Sequence, residues 1–182
     1  MMVFRNLSES DFESIYYQHM VNDFPENELK EIEMIKRAFK KGKYACVVME
    51  EDDDIRAYAC FSWVHPEVQI LDYLAVVSDI RGKGYGSQLL HWLKGNPEVK
   101  EIILESEDPD FSKDKIEKEI RTRRLSFYQK NGMKKRETSV VLGDVEFNIF
   151  TFDDSNLSEK ELLKEMLMIY QQTSPNLQVI PY

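Results

Sequence analysis

The chain opens on MVFRNL, an alternation of apolar and polar positions that predicts a strand, and then changes period. Phe12, Ile15, Tyr16 and Met20 recur at the spacing of one helix face, with Ser10 and Glu13 at capping-box separation near its start. The polar stretch NDFPENE interrupts that face. A second stripe, Leu29, Ile32, Ile35 and Phe39, predicts a helix capped by Asn27 and closed by the lysine-rich KKGK. Strand-like runs return in YACVVME, IRAYACFSWVH and VQILDYLAVV, joined by EDDD and by a turn at His65 and Pro66; together they predict an antiparallel meander.

Beyond Val77, glycines alternate at Gly82, Gly84 and Gly86, and Leu89, Leu90 and Leu93 then mark a helix that stops at KGNP. EIILESE follows as a strand, so strand, glycine turn, helix and strand form a βαβ crossover. An insert, DPDFSKDKIEKEI, precedes a helix ending at FYQKNGM with Gly132 as its exit; ETSVVLG and VEFNIFTF predict a hairpin. A last helix starts from a capping box at Ser158 and Glu161 and buries Leu162, Met166 and Tyr170. This order predicts an α+β fold, a mixed, mostly antiparallel central sheet flanked by helices. With no repeat or linker in view, residues 1–155 are expected to form one domain. Residues 156–182 then form a C-terminal helical extension packed on that domain or on a partner subunit, in a monomer or homodimer.

Charge narrows the partners. A net charge of −9 opposes extended contact with nucleic acid phosphates and suits a cationic substrate. The start, MMVFRNLSESDFESI, lacks a basic segment followed by an apolar run, and nowhere do eighteen apolar residues follow one another. A cytoplasmic protein without a membrane partner is expected. Cys46 and Cys60 form no CxxC or Cys/His ligand spacing, so neither a metal centre nor a disulfide framework is expected, and both are read as small apolar strand residues.

The glycine turn carries the first chemical signal. Glycines at alternate positions leave backbone N–H groups unshielded, and the following helix start adds further donors, which together suit a phosphate. Arg81 and Lys83 supply cationic flanks in an acidic chain. A P-loop is excluded because no Lys and hydroxyl pair follows at GxxxxGK spacing, and GxGxxG is excluded because position 87 is Ser.

RGKGYG, Arg81 to Gly86, resembles the Arg/Gln-x-x-Gly-x-Gly/Ala signature of the GNAT superfamily of N-acetyltransferases. The likeness extends through YLAVVSDIRGKGYGSQLL, to RRLSFYQKNGM, and to the order of elements over most of residues 2–153. It implies acetyl-CoA as acyl-donor cosubstrate. By matched position, backbone groups of Leu74, Ala75 and Val76 would meet the acetyl carbonyl and pantetheine. Arg81, Gly82, Lys83, Gly84, Tyr85, Gly86 and Ser87 would hold the pyrophosphate, and Tyr128 would act as general acid. Glu105 matches a position used as base in members that acetylate protein N-termini, with Asp72, Glu107 or water as alternatives. Two positions depart from the pattern: Met133 replaces an aromatic residue, and Arg121 stands where the family has an Asn seven residues before the Tyr. The RTRR patch, Arg121 to Arg124, is expected to pair with local Glu. The resemblance implies direct transfer in a ternary complex to a primary amine of a small cationic molecule or peptide, without metal or acyl-enzyme. A CoA-binding sensor that has lost turnover is the alternative.

Overall fold

A computed structural model describes residues 1–182, the side chain of Asn27 excepted. The fold is α+β, with a central, mostly antiparallel sheet and flanking helices. The chain divides into two compact units, Met1–Trp63 with Leu71–Asn96, and Val64–Ile70 with Pro97–Tyr182.

The first unit begins with β1 (Met2–Asn6) and α1 (Glu9–Ile15), which runs on through a π-helical turn, Tyr16–Met20, and the short turn Val21–Asp23. Then come α2 (Ile32–Lys40), β2 (Tyr44–Glu51), β3 (Asp54–Ser62), the greater part of β4 (Val68–Val76) and α3 (Tyr85–Lys94). β1 pairs with β2, and β2 with β3, both antiparallel. Phe12, Ile15, Met20 and Ile35 from the helices close over Cys46, Val48, Tyr58, Cys60, Tyr73 and Ala75.

Two helix starts differ from the sequence expectation. Ser8, not Ser10, caps α1, accepting from the Asp11 N–H at 3.2 Å. Ser10 lies inside the first turn, and Glu13 reaches Lys36 on α2 at 3.2 Å instead of closing a capping box. The second helix begins at Ile32, not near Asn27, whose side chain lies outside the described residues. The reason is visible in the backbone before it. The Lys30 N–H donates to the Tyr73 hydroxyl at 2.8 Å, while the Lys30 and Glu28 carbonyls accept from Tyr16 and Tyr73 at 3.0 Å each. Groups tied to side chains in this way cannot join a helical ladder.

Cys46 and Cys60 are buried strand residues, as expected, and are direct partners across the β2–β3 pair with sulfur atoms 3.2 Å apart as free thiols. That adjacency follows from register and is not visible in the spacing of the cysteines.

The second unit contains β5 (Glu101–Glu107), α4 (Lys115–Lys130), β6 (Met133–Leu142), β7 (Val145–Phe152), α5 (Glu159–Thr173) and β8 (Val179–Pro181). β7 pairs antiparallel with β5 and with β6, so the expected hairpin is present, and β8 adds to β6. Leu162, Met166, Ile169 and Tyr170 of α5 pack with Ile103, Val140 and Ile149, and the capping box at Ser158 and Glu161 is complete. α4 starts inside the expected insert because Asp114 caps it, accepting from the Glu117 N–H at 2.8 Å. Strand β8 was not foreseen: three residues are too short for a periodic signal.

Candidate functional site

In the first unit, the segment singled out by its glycines is one continuous strand, turn and helix. Leu74, Ala75 and Val76 end β4 with Ala75 buried, a 3-10 turn spans Ser78–Ile80, and Gly84 precedes the first residue of α3. Gly82 and Gly84 have φ of +82° and +87°, the left-handed region that glycine enters without a Cβ penalty. A Cβ built at Gly82 meets nothing within 4 Å, and one at Gly84 meets only Gln88 Nε2, at 4.0 Å. These two glycines therefore answer a backbone requirement and leave open space above the turn. No side chain caps α3, and its first backbone bond runs from the Gln88 N–H to the Gly84 carbonyl at 3.0 Å. Among the described residues, the N–H groups of Gly82 through Ser87 have no acceptor, so six consecutive donors carry the partial positive charge of a helix start.

The flanks of this turn are braced. Arg81 Nε donates to the Val76 carbonyl at 3.1 Å, and a terminal nitrogen of the same guanidinium meets Asp23 at 3.0 Å. The Arg81 side chain stays 58% exposed, whereas that of Asp23 is 8% exposed. Tyr58 donates to the other Asp23 oxygen at 2.8 Å. Burial, reinforced by that carboxylate, pushes the Tyr58 phenol well above its ordinary range. Tyr85, the first residue of α3, donates to Glu51 at 2.8 Å, and the bond to that carboxylate raises its pKa.

In the second unit, Tyr128 sits near the end of α4 with 7% exposure, its ring against Phe127 and Phe150 at centroid separations of 5.4 and 6.1 Å. Burial raises its pKa, opposed by the charge of Arg124, so the phenol is protonated at neutral pH. Glu105 lies in register with Ile149 of β7, on the face that α5 covers, and accepts from the Tyr170 hydroxyl at 2.5 Å. Phe150, the ring that Tyr128 touches, is the next residue along β7 and points to the other face, so Glu105 and Tyr128 leave opposite faces of the β5–β7 pair.

Glu107 and Asp72, the other carboxylates singled out in the sequence, are ion-paired. Glu107 binds Arg121 at 2.8 Å and Arg124 at 2.9 Å, which fulfils the expected pairing of the basic patch. Arg121 also meets Glu117 at 2.9 Å and the Asp108 carbonyl at 2.8 Å, so the guanidinium replacing the family Asn ties α4 to the strand beneath it. Asp72 pairs with Lys30 at 2.7 Å and accepts from Ser62 at 3.1 Å.

A family model described as an acetyltransferase (GNAT) domain matches residues 42–135, from the end of α2 through the glycine turn to the start of β6. The chain belongs to this GNAT acetyltransferase family. Solved structures extend the likeness of fold to most of the chain. A GNAT-family structure from Bacteroides thetaiotaomicron superposes with a TM-score of 0.72 at 20% identity, covering 93% of this chain and 96% of that one. The ribosomal-protein-S18-alanine N-acetyltransferase of Escherichia coli gives 0.57 at 17% identity, covering 87% and 97%. A GNAT family acetyltransferase from Elizabethkingia anophelis, solved with acetyl-CoA bound, gives 0.51 at 14% identity, covering 83% and 97%. Comparison with curated proteins finds no match.

Sequence reasoning missed two residues of this GNAT chain that the structure brings to the candidate positions. Asp23, in the stretch read only as a helix interruption, holds Arg81; Tyr170, read as part of an apolar stripe, reaches Glu105. Neither had a signal, since both partners are distant in sequence. No helix among the described residues is long and apolar enough to cross a membrane.

Proposed function

We propose that this protein transfers the acetyl group of acetyl-CoA to a primary amine of a small cationic molecule or a peptide, by direct attack in a ternary complex. The observation that carries the reading is the turn from Arg81 to Ser87, where six unpaired N–H groups border open space in a chain of the GNAT family. Those groups suit a pyrophosphate, with Arg81 and Lys83 as cationic flanks. The backbone of Leu74, Ala75 and Val76 is assigned to the acetyl and pantetheine end by matched position. Residues 1–155 are read as the transfer domain and 156–182 as its extension.

In the reaction Glu105, which leaves the face of the β5–β7 pair opposite to Tyr128, takes a proton from the incoming ammonium through water. As the amide C–N bond forms and the thioester C–S bond breaks, Tyr128 gives its proton to the departing thiolate, and the second proton shed by the nitrogen returns to the Tyr128 phenolate through water. A buried phenol suits that task because it still holds its proton at neutral pH. Glu105 is assigned as the base by matched position, with Asp72, Glu107 or water as the alternatives; Asp72 is paired with Lys30, and Glu107 with Arg121 and Arg124. The Escherichia coli relative, a ribosomal-protein-S18-alanine N-acetyltransferase, is a precedent for a peptide acceptor. The test is a screen of diamines and basic peptides with acetyl-CoA, read by release of the CoA thiol. Turnover lost in Tyr128→Phe supports the reading, and acetyl-CoA binding without turnover of any amine favours the sensor alternative.

A further inference from the structure

We infer that Tyr170 is a positioning residue for Glu105, a role that rests on reading Glu105 as the base. The Tyr170 hydroxyl donates to Glu105 Oε2 at 2.5 Å across 65 positions of sequence. Its ring is 4% exposed and belongs to the cluster that joins α5 to Ile103 and Ile149, so the donor is held in place by packing. The helix that carries it lies outside residues 42–135, the part of the chain matched by the family model. The contact therefore draws the C-terminal segment into the chemistry of a strand in the matched region.

A phenol fixed against a carboxylate favours its charged form and restricts its rotamers. The bond to Tyr170 thus favours the ionised carboxylate, the state needed to accept a proton, and aims it. Tyr170 is the donor that the packing of α5 brings to Glu105 Oε2. The α5 face packed there is otherwise Leu162, Met166, Ile169 and Thr173, with the half-buried Glu165, whose Oε2 is shielded from solvent, as a further titratable group on that helix. Opposite on β7 stands Ile149, and along β5 the nearest charge is Glu107, compensated by Arg121 and Arg124.

The experiment is a ¹³C NMR titration of carboxyl-labelled glutamate in wild type and Tyr170→Phe, with the Glu105 resonance assigned by its disappearance in Glu105→Gln. Phe keeps the ring in the core, and thermal unfolding checks that the variant is folded. The Glu105 midpoint is expected to rise by about one pH unit in Tyr170→Phe. With acetyl-CoA and an alkyl diamine or short basic peptide as probe, the acid limb of kcat/KM should move by the same amount at unchanged KM for acetyl-CoA. An unchanged midpoint in folded Tyr170→Phe overturns the inference. A shifted midpoint with an unmoved rate profile overturns the positioning role and leaves only a structural contact. Wild-type turnover by Glu105→Gln overturns the base reading itself, a failure distinguishable because the Tyr170→Phe titration still reports the contact.

Discussion

The Lys30–Asp72 pair offers the sharpest test of how the segment before α2 is held. Asp72 is only 3% exposed and Lys30 17%, with the ammonium 2.7 Å from the carboxylate. Replacing Lys30 by Met keeps the aliphatic length and removes the charge, leaving Asp72 with the Ser62 hydroxyl as its remaining partner at 3.1 Å among the contacts described above. Breaking a fully buried pair from one side costs about 3–5 kcal/mol. The partial exposure of Lys30 admits water to the orphaned carboxylate, so the expected loss is about 2–3 kcal/mol. With a urea slope of about 2 kcal/mol/M, the midpoint should fall by about 1 M or more. Asp72→Asn in the Lys30→Met background removes the uncompensated charge and should recover at least about 1 kcal/mol. The assay is equilibrium urea unfolding of wild type, both single variants and the double variant. A Lys30→Met stability within about 0.5 kcal/mol of wild type, or strictly additive costs in the double variant, would refute the reasoning.

Three further outcomes follow from the same structure. Tyr128→Phe should lower kcat by about 10²-fold or more with the KM for acetyl-CoA little changed, read by thiol release; an unchanged kcat removes Tyr128 from the role of acid. Alkaline pH should destabilise the fold, because burial raises the phenols of Tyr44, Tyr58, Tyr73 and Tyr128. Raised folded-state values make this contribution full below the unfolded tyrosine pKa of about 10 and lost as pH rises through the folded values, so the urea midpoint should hold up to about pH 10 and then fall steeply. Cys46 and Cys60 are fully buried, with burial raising the Cys60 thiol, so a thiol reagent should leave both untouched in native protein and label two per chain in urea. Rapid native labelling would mean that the core above the β2–β3 pair opens readily.

The parts of this fold that were legible in the sequence are those whose signal is local. The glycine alternation, the leucine stripe of α3, the hairpin residues and the Ser158 capping box all depend on neighbours within a turn or two. The misreadings arose where distant groups override local preference. NDFPENELK carries a helical stripe from Leu29, yet its backbone is taken by Tyr16 and Tyr73, so the helix waits until Ile32. The pairing of Arg121 with local Glu was legible from the charge pattern of RTRR, but its particular partners, Glu107, Glu117 and the Asp108 carbonyl, depend on the tertiary structure. Period two assigned Glu105 to one face of β5 correctly, but no pattern in sequence could tell which helix covers that face or that Tyr170 would meet it. For the candidate site, the motif located the turn, while the bracing of Arg81 by Asp23 came from the tertiary structure alone.

The most direct measurement is calorimetric titration of acetyl-CoA into the wild-type protein and into Gly84→Glu. Gly84 has φ of +87° beneath open space, so a glutamate there strains the turn and sets a negative charge where the pyrophosphate is proposed to lie. Binding of one acetyl-CoA per chain by wild type, weakened by about tenfold or more in a folded Gly84→Glu, is the expected result. Failure of folded wild type to bind acetyl-CoA, or equal binding by the two proteins, would contradict the assignment of this turn to the acyl donor.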